Sequence, residues 1–222
     1  MQQLFQFLSD IAAHNDRAWF AAHRSEYEAA AQTFERVVGD MIVRISAFEP
    51  AVAGMQAKSA LFRFYRDTRF SQDKAPYKRH FGAYINPRGK KSMHGGYYLH
   101  LQPGGESMVA GGCWWFDAKV LRAVREDIAW RIDAFRHIVE APDFRRLYPV
   151  VGEQALKTLP KGFPKDFPYP QYLRPRNYVV WHNLPDDFFL RADWQTKVAQ
   201  YFRTMQPFVD FINETVDDYI ED

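Results

Sequence analysis

The hydrophobic period of this chain changes twice along its length, and those changes limit the fold more than any other feature. Phe20, Tyr27, Phe34, Val38, Met41, Ile45 and Phe48 sustain a helical period, which predicts a long amphipathic helix over about 16–48, ended near Pro50. The middle of the chain reads differently. Leu61–Arg66, Phe81–Asn86, Gly96–Gln102 and Ser107–Cys113 are short and rich in aromatic or β-branched residues. Turn signals at Asn86-Pro87-Arg88-Gly89 and Pro103-Gly104-Gly105 separate the later segments. Links this short favour an antiparallel meander over crossovers. Asp117 then caps a second long helix over about 117–139, with Val120, Leu121, Val124, Ile128, Ile132, Phe135 and Val139 as its apolar stripe. The order helix, strands, helix predicts an α+β fold, with an antiparallel sheet from about 60–113 packed against the two long helices.

The flanks complete this outline. Leu4, Phe5, Leu8 and Ile11 predict a short N-terminal helix, and Asn15 or Asp16 offers an N-cap to the helix that follows. Residues 160–175 hold five prolines among Phe163, Phe167, Tyr169 and Tyr172. Rings this dense are expected to fasten the segment across a hydrophobic surface, because linkers are poor in large apolar groups. Asn177–Asn183 reads as one more strand, and two helices, around Trp194–Met205 and Pro207–Ile220, end the chain. The sequence shows no internal repeat, and its 222 residues are expected to form one domain.

Composition narrows the class. Aromatic residues make up 17% of the chain, and rings bury much area each, so a stable core is expected and disorder is excluded. The chain lacks the apolar run of about 18 residues that a membrane span requires. Met1–Asp10 mixes Gln and Asp into its apolar residues and does not read as a secretory signal. The lone cysteine, Cys113, cannot form an internal disulfide. These features together predict a cytoplasmic protein.

Charge is distributed unevenly. Lys58–Lys91 holds ten Lys/Arg and two acids, Asp67 and Asp73: +8 in a chain of +2, so the remainder carries −6. Aromatic rings interleave the cations, unlike a solvated basic tail, and a folded surface that concentrates positive charge attracts anions. With Leu61–Arg66 as a strand, Leu61, Arg63 and Tyr65 share one face and Phe62, Phe64 and Arg66 the other. An arginine among rings must meet either a carboxylate or a bound anion. Arg69 and Lys74 follow in a turn with Thr68, Ser71 and Asp73, and Lys78 closes it. Arg63, Arg66, Arg69, Ser71, Lys74 and Lys78 are therefore the candidate ligand-binding residues, for phosphate or carboxylate oxygens. The same residues are equally those of an internal salt-bridge network, with Asp67 paired to Arg66 or Arg69.

The run Phe62-Arg63-Phe64-Tyr65-Arg66-Asp67-Thr68-Arg69-Phe70-Ser71-Gln72-Asp73-Lys74-Ala75-Pro76-Tyr77-Lys78, with Phe81-Gly82 after it, resembles the signature of an uncharacterised domain family of bacteria and fungi. The resemblance extends through Asn15-Asp16-Arg17-Ala18-Trp19-Phe20, Gly96-Tyr97-Tyr98-Leu99-His100-Leu101, Gly111-Gly112 and Pro160-Lys161-Gly162-Phe163, and so covers nearly all of the chain. It brings no established activity with it. Gln72 stands where a further basic residue is common in that family, and Phe116 where a helix-opening proline is common. Neither change removes a charge of the basic stretch.

Catalytic patterns are thin. The seven histidines form no H-x-x-x-H pair, one cysteine cannot build a zinc ribbon, and no metal or cofactor is expected. His94 and His100 flank Gly95-Gly96 without a nearby carboxylate. His100 alternates with Tyr98 and Gln102 on a polar strand face that is expected to meet solvent. Cys113, beside Trp114-Trp115, reads as a buried filler. The glycine pairs Gly104-Gly105 and Gly111-Gly112 match no nucleotide fingerprint and read as turns and a bulge. The leading expectation is a module that binds an anionic ligand, with nucleic acid one candidate and no recognised nucleic-acid motif. The alternatives are an enzyme drawing its acid and base from Asp67, Asp73, His80 and His100, and a structural protein. The acidic C-terminal residues Asp210, Glu214, Asp217, Asp218, Glu221 and Asp222 are rival partners for the basic stretch.

Overall fold

Four strands form an antiparallel sheet in chain order: β1 (Phe81–Ile85), β2 (Gly96–Leu101), β3 (Ser107–Cys113) and β4 (Tyr178–Leu184). The helices are α1 (Gln2–Ala13), α2 (Arg17–Ala22), α3 (Arg24–Ser46), α4 (Ala57–Ala60), α5 (Ala118–Trp130), α6 (Ile132–Val139), α7 (Pro142–Leu147) and α8 (Trp194–Ile220). The computed structural model describes residues 1–220. The chain is α+β, as its period changes predict, and the four strands fall where short apolar segments bounded by turn residues predict them. Among the described residues no helix is long and apolar enough to cross a membrane.

Contacts group the chain into two compact units, each discontinuous in sequence. The first comprises Met1–Gly89, Tyr98–Val109 and Asn183–Ala199. The second comprises Lys90–Tyr97, Ala110–His182 and the chain from Gln200 on.

In the first unit, α1 buries Leu4, Phe7, Leu8 and Ile11, and α3 buries Phe34, Val38, Met41 and Ile45. Phe34 and Phe7 both meet the ring of Phe81 on β1, at 5.3 and 6.4 Å. The helix expected over 16–48 is divided at His23, whose φ of −108° and ψ of 26° leave the helical region. Its imidazole Nδ1 donates to the Trp19 carbonyl at 2.8 Å, and the two rings stack 3.9 Å apart. Asp16, not Asn15, caps α2 by accepting from Trp19 N–H at 2.9 Å. At the end of the β2–β3 hairpin, Gly104 and Gly105 adopt φ of +87° and +75° and donate their N–H groups to the Asp186 carboxylate.

The expected strand Leu61–Arg66 does not form. Two isolated antiparallel bridges replace it, Leu61 to Ala83 and Tyr65 to Tyr77, with a bend at Phe64 between them. The bend breaks the alternation, so Phe62 and Phe64 do not share a face: Phe64 is buried and Phe62 is 41% exposed. Arg66 N–H to the Pro76 carbonyl and Lys78 N–H to the Phe64 carbonyl, both 2.9 Å, hold the segment closed.

In the second unit, Phe135 of α6 packs on Phe208 and Phe211 of α8 at 6.2 and 5.2 Å, and Phe144 of α7 packs on Phe208 at 5.9 Å. Asp117 caps α5 as expected, accepting from Lys119 and Val120 N–H at 2.8 Å. The helix expected over 117–139 is divided at Arg131, whose guanidinium reaches back to Asp127, across to Glu214 at 2.7 Å and over the Phe211 ring at 4.1 Å. Those bonds offset the lost helical geometry. The proline-rich segment is fastened: Tyr172 packs on Phe135 at 5.4 Å and donates to Glu140 at 2.9 Å, and Arg136 lies 4.1 Å over the Tyr169 ring. The two expected C-terminal helices are one. Pro207 lies inside α8, whose residues Phe202, Met205, Phe208, Val209 and Ile212 are all buried, and that burial outweighs the hydrogen bond a proline cannot make.

Candidate functional site

The basic turn is built by its own two acids. Asp67 accepts from the N–H of Arg69 at 3.2 Å and from its guanidinium at 3.0 and 2.7 Å. Asp73 accepts from Ala75 N–H at 2.9 Å and from Arg66 at 2.6 Å. Each carboxylate thus closes a local turn and pairs a cation at once. The Arg69 side chain holds Asp67 below the usual carboxylate range, and the Ala75 N–H, followed by Arg66, does the same for Asp73. Arg66 also donates to the Ala75 carbonyl at 3.1 Å and to Ser71 Oγ at 3.4 Å, and Lys74 Nζ donates to the Thr68 carbonyl at 3.0 Å. Asn15 fixes the closing end with two bonds, both 3.0 Å, to the N–H and carbonyl of Tyr77. That second use of a residue whose type suggests an N-cap carried no sequence signal.

The six candidate residues therefore divide. Arg66, Arg69, Ser71 and Lys74 are bonded within the turn, and Arg66 and Arg69 are neutralised there. Arg63 and Lys78 make no ion pair among the described residues, and neither does Arg79, which was missed. Arg63 is exposed, so water solvates it and the expected desolvation demand does not arise. Lys78 is half-buried, its Nζ 5.4 Å from the centre of the Phe62 ring. Burial first, and the neighbouring Arg63 charge second, lower its ammonium pKa. The two like charges thus disfavour each other, and neither is in an ion pair among the described residues.

Beside Lys78 lies the polar face of β2. It is not left to solvent as expected, because its side chains satisfy one another. Tyr98 Oη donates to His100 Nδ1 at 3.0 Å, and His100 Nε2 donates to Gln102 Oε1 at 3.1 Å. The Gln102 amide in turn donates to Glu106. Since Gln102 Oε1 only accepts, the proton of His100 is on Nε2 and the chain has one direction. The His80 ring stacks 4.2 Å from that of His100 and covers it. Burial pushes Tyr98 up to about 12, and burial with the charges of His100 and Lys78 pushes His80 down to about 3. His80 has no hydrogen-bond partner among the described residues. A period-two pattern linking Lys78 to His80, opposite Tyr98 and His100, is the sequence signal that could have found this face.

The lowered pKa of His80 gives a pH dependence with a definite sign. In the unfolded chain His80 titrates near 6.5 and in the folded protein near 3, so the unfolded state binds more protons between those values. Its contribution is complete above pH 6.5 and is lost as pH falls toward 3. Urea midpoints followed down through this window should fall more steeply for the parent than for His80→Gln. Equal slopes would show that His80 titrates normally.

Other candidates resolve as structure. His94 is buried, with Nε2 2.8 Å from Asp217 and Nδ1 2.7 Å from Ser92 Oγ. Glu214 pairs with Arg131; Glu221 and Asp222 lie outside the described residues. Cys113 is buried, donates to the Trp115 carbonyl, and burial pushes its thiol up to about 12, which suits a filler and not a nucleophile. Among the described residues no group of His, Cys, Asp and Glu is arranged to hold a metal ion.

These features define an α+β protein with a self-paired basic turn and, beside it, an unpaired cationic face against a hydrogen-bonded Tyr–His–Gln chain. Residues 3–211 match the family described as "Conserved hypothetical protein (DUF2461)", and the chain belongs to that family. No curated protein and no solved structure matches it.

Proposed function

We propose that the protein binds an anionic ligand, bearing phosphate or carboxylate, at Arg63 and Lys78. The observation that carries this reading is the like-charge pair itself: a half-buried ammonium beside the ring of Phe62, its pKa lowered in part by the Arg63 guanidinium, with neither cation in an ion pair among the described residues. An anion between them would remove that repulsion and gain charge-assisted hydrogen bonds. Arg66, Arg69, Ser71 and Lys74 serve as the frame and outer shell, because Arg66 and Arg69 are already paired with Asp73 and Asp67. The salt-bridge network and the binding site expected as rivals then occupy two halves of one cluster.

One observation favours an enzyme as the second reading. His80 is a neutral imidazole that feels the charge of Lys78, and an anion held at Lys78 would raise its pKa toward the range in which an imidazole exchanges protons. In this reading Asp67 and Asp73 serve the turn, where both already pair with arginines.

The test is calorimetric titration of inorganic phosphate and pyrophosphate at low salt into the parent and into Arg63→Gln/Lys78→Gln. The parent should bind and weaken with added salt, and the variant should lose binding. Its stability should stay within about 0.5 kcal/mol, since no ion pair is broken. Bound anion should also raise the pKa of His80, readable by NMR. A parent that binds neither anion would overturn the proposal.

A further inference from the structure

We infer that the anion bound at Arg63 and Lys78 is the backbone of a single-stranded nucleic acid, with bases stacking on Phe62 and Phe70. The inference rests on the anion-binding reading and adds the chemistry of the exposed rings. Phe70 is 96% exposed at the tip of the turn, and Phe62 is 41% exposed. Each ring already carries a cation, Lys78 Nζ at 5.4 Å from the Phe62 centre and the Arg69 guanidinium at 5.8 Å from that of Phe70.

A phenylalanine left in water at the end of a polar turn forgoes its burial, and nothing in the turn requires that residue type there: the turn is closed by Asp67, Asp73, Asn15 and backbone bonds. A free phosphate has no use for either ring. A single strand uses all four groups, since its phosphates meet Lys/Arg while successive unpaired bases offer π-faces to aromatic side chains. In sequence Arg63, Arg66 and Arg69 lie between Phe62 and Phe70. Cations therefore run along the segment from one ring to the other. A duplex is disfavoured, because its bases are stacked and paired within the helix.

The experiment is fluorescence anisotropy with a labelled single strand of about 12 nucleotides, the duplex of the same sequence, and anionic phosphatidylserine vesicles, with pyrophosphate titrated separately. The parent should bind the single strand more tightly than duplex, vesicles or pyrophosphate, with log K falling linearly in log salt. Phe70→Ala should weaken the single strand at least about fivefold and leave pyrophosphate unchanged, and Phe62→Ala/Phe70→Ala should weaken the single strand at least about tenfold. Both rings are exposed enough that this variant should fold, checked by its unfolding midpoint. Arg63→Gln/Lys78→Gln should lose both ligands. Pyrophosphate bound with the single strand no tighter, or with the ring variant indifferent, would overturn the inference and leave the anion reading standing. Preference for duplex or vesicles over the single strand would overturn it in their favour. Binding of nothing would remove both.

Discussion

Gly112→Ala is expected to cost at least about 4 kcal/mol, most of the stability of a protein at the low end of the usual range. Gly112 lies in β3 with φ of +104°, a conformation in which an L side chain is strained by about 1–3 kcal/mol. A Cβ there would also overlap the backbone carbonyl oxygen of Tyr178 and stand 3.0 Å from the Phe208 ring. Neither neighbour can yield. Tyr178 is a fully buried residue of β4 whose hydroxyl donates to the Tyr172 carbonyl at 2.8 Å, and Phe208 is fully buried against Phe135. Gly105→Ala is the control: its φ of +75° carries a similar backbone penalty, but a Cβ meets nothing within 4 Å. It should cost only about 1–2 kcal/mol. Urea unfolding of the two variants separates backbone strain from overlap. A Gly112→Ala protein within about 1 kcal/mol of Gly105→Ala would mean that β3 and β4 are not in register at Tyr178.

That glycine shows what the sequence could carry. Gly104-Gly105 and Gly111-Gly112 look alike in one dimension, and both read as turns or bulges. Only the packing of β4 and α8 reveals that the second pair admits no Cβ. The strands and the caps at Asp16 and Asp117 were legible, because period and cap chemistry are local. The breaks at His23 and Arg131 were not, since a one-residue departure barely disturbs a period read over several turns. Pro207 misled for the opposite reason: proline is a local signal, and the buried face of α8 is not. At the site, the excess of cations was legible and its division was not. Asp67 and Asp73 lie near several cations in sequence, and only the folded turn shows that they take Arg69 and Arg66. The burial of His100 depends on His80, a residue twenty positions earlier in the chain.

Phe64→Ala is expected to cost about 3–5 kcal/mol, although its neighbour Arg63→Gln should cost no more than about 0.5. The contrast follows from the bend that replaces the expected strand. Phe64 turns inward and meets five rings: Tyr27 and Phe81 at 5.1 Å, Phe7 at 5.8 Å, Tyr77 at 6.1 Å and Phe20 at 6.2 Å. Aromatic pairs contribute beyond the area they bury, so the cavity left by alanine loses both terms. Phe64 is also the hinge of the turn, since its carbonyl accepts from Lys78 N–H at 2.9 Å. Loosening it should release the bond that holds Lys78 to this segment. Amide exchange at Lys78 and Arg66 is expected to accelerate in Phe64→Ala by more than the loss of global stability explains, and anion affinity to fall although no charge has been removed. Arg63→Gln should do the reverse, lowering affinity with exchange at those two amides unchanged. If Phe64→Ala leaves Lys78 and Arg66 as protected as the rest of the first unit, the turn is held by Asn15 and its own carboxylates, and the aromatic cluster has no part in shaping the site.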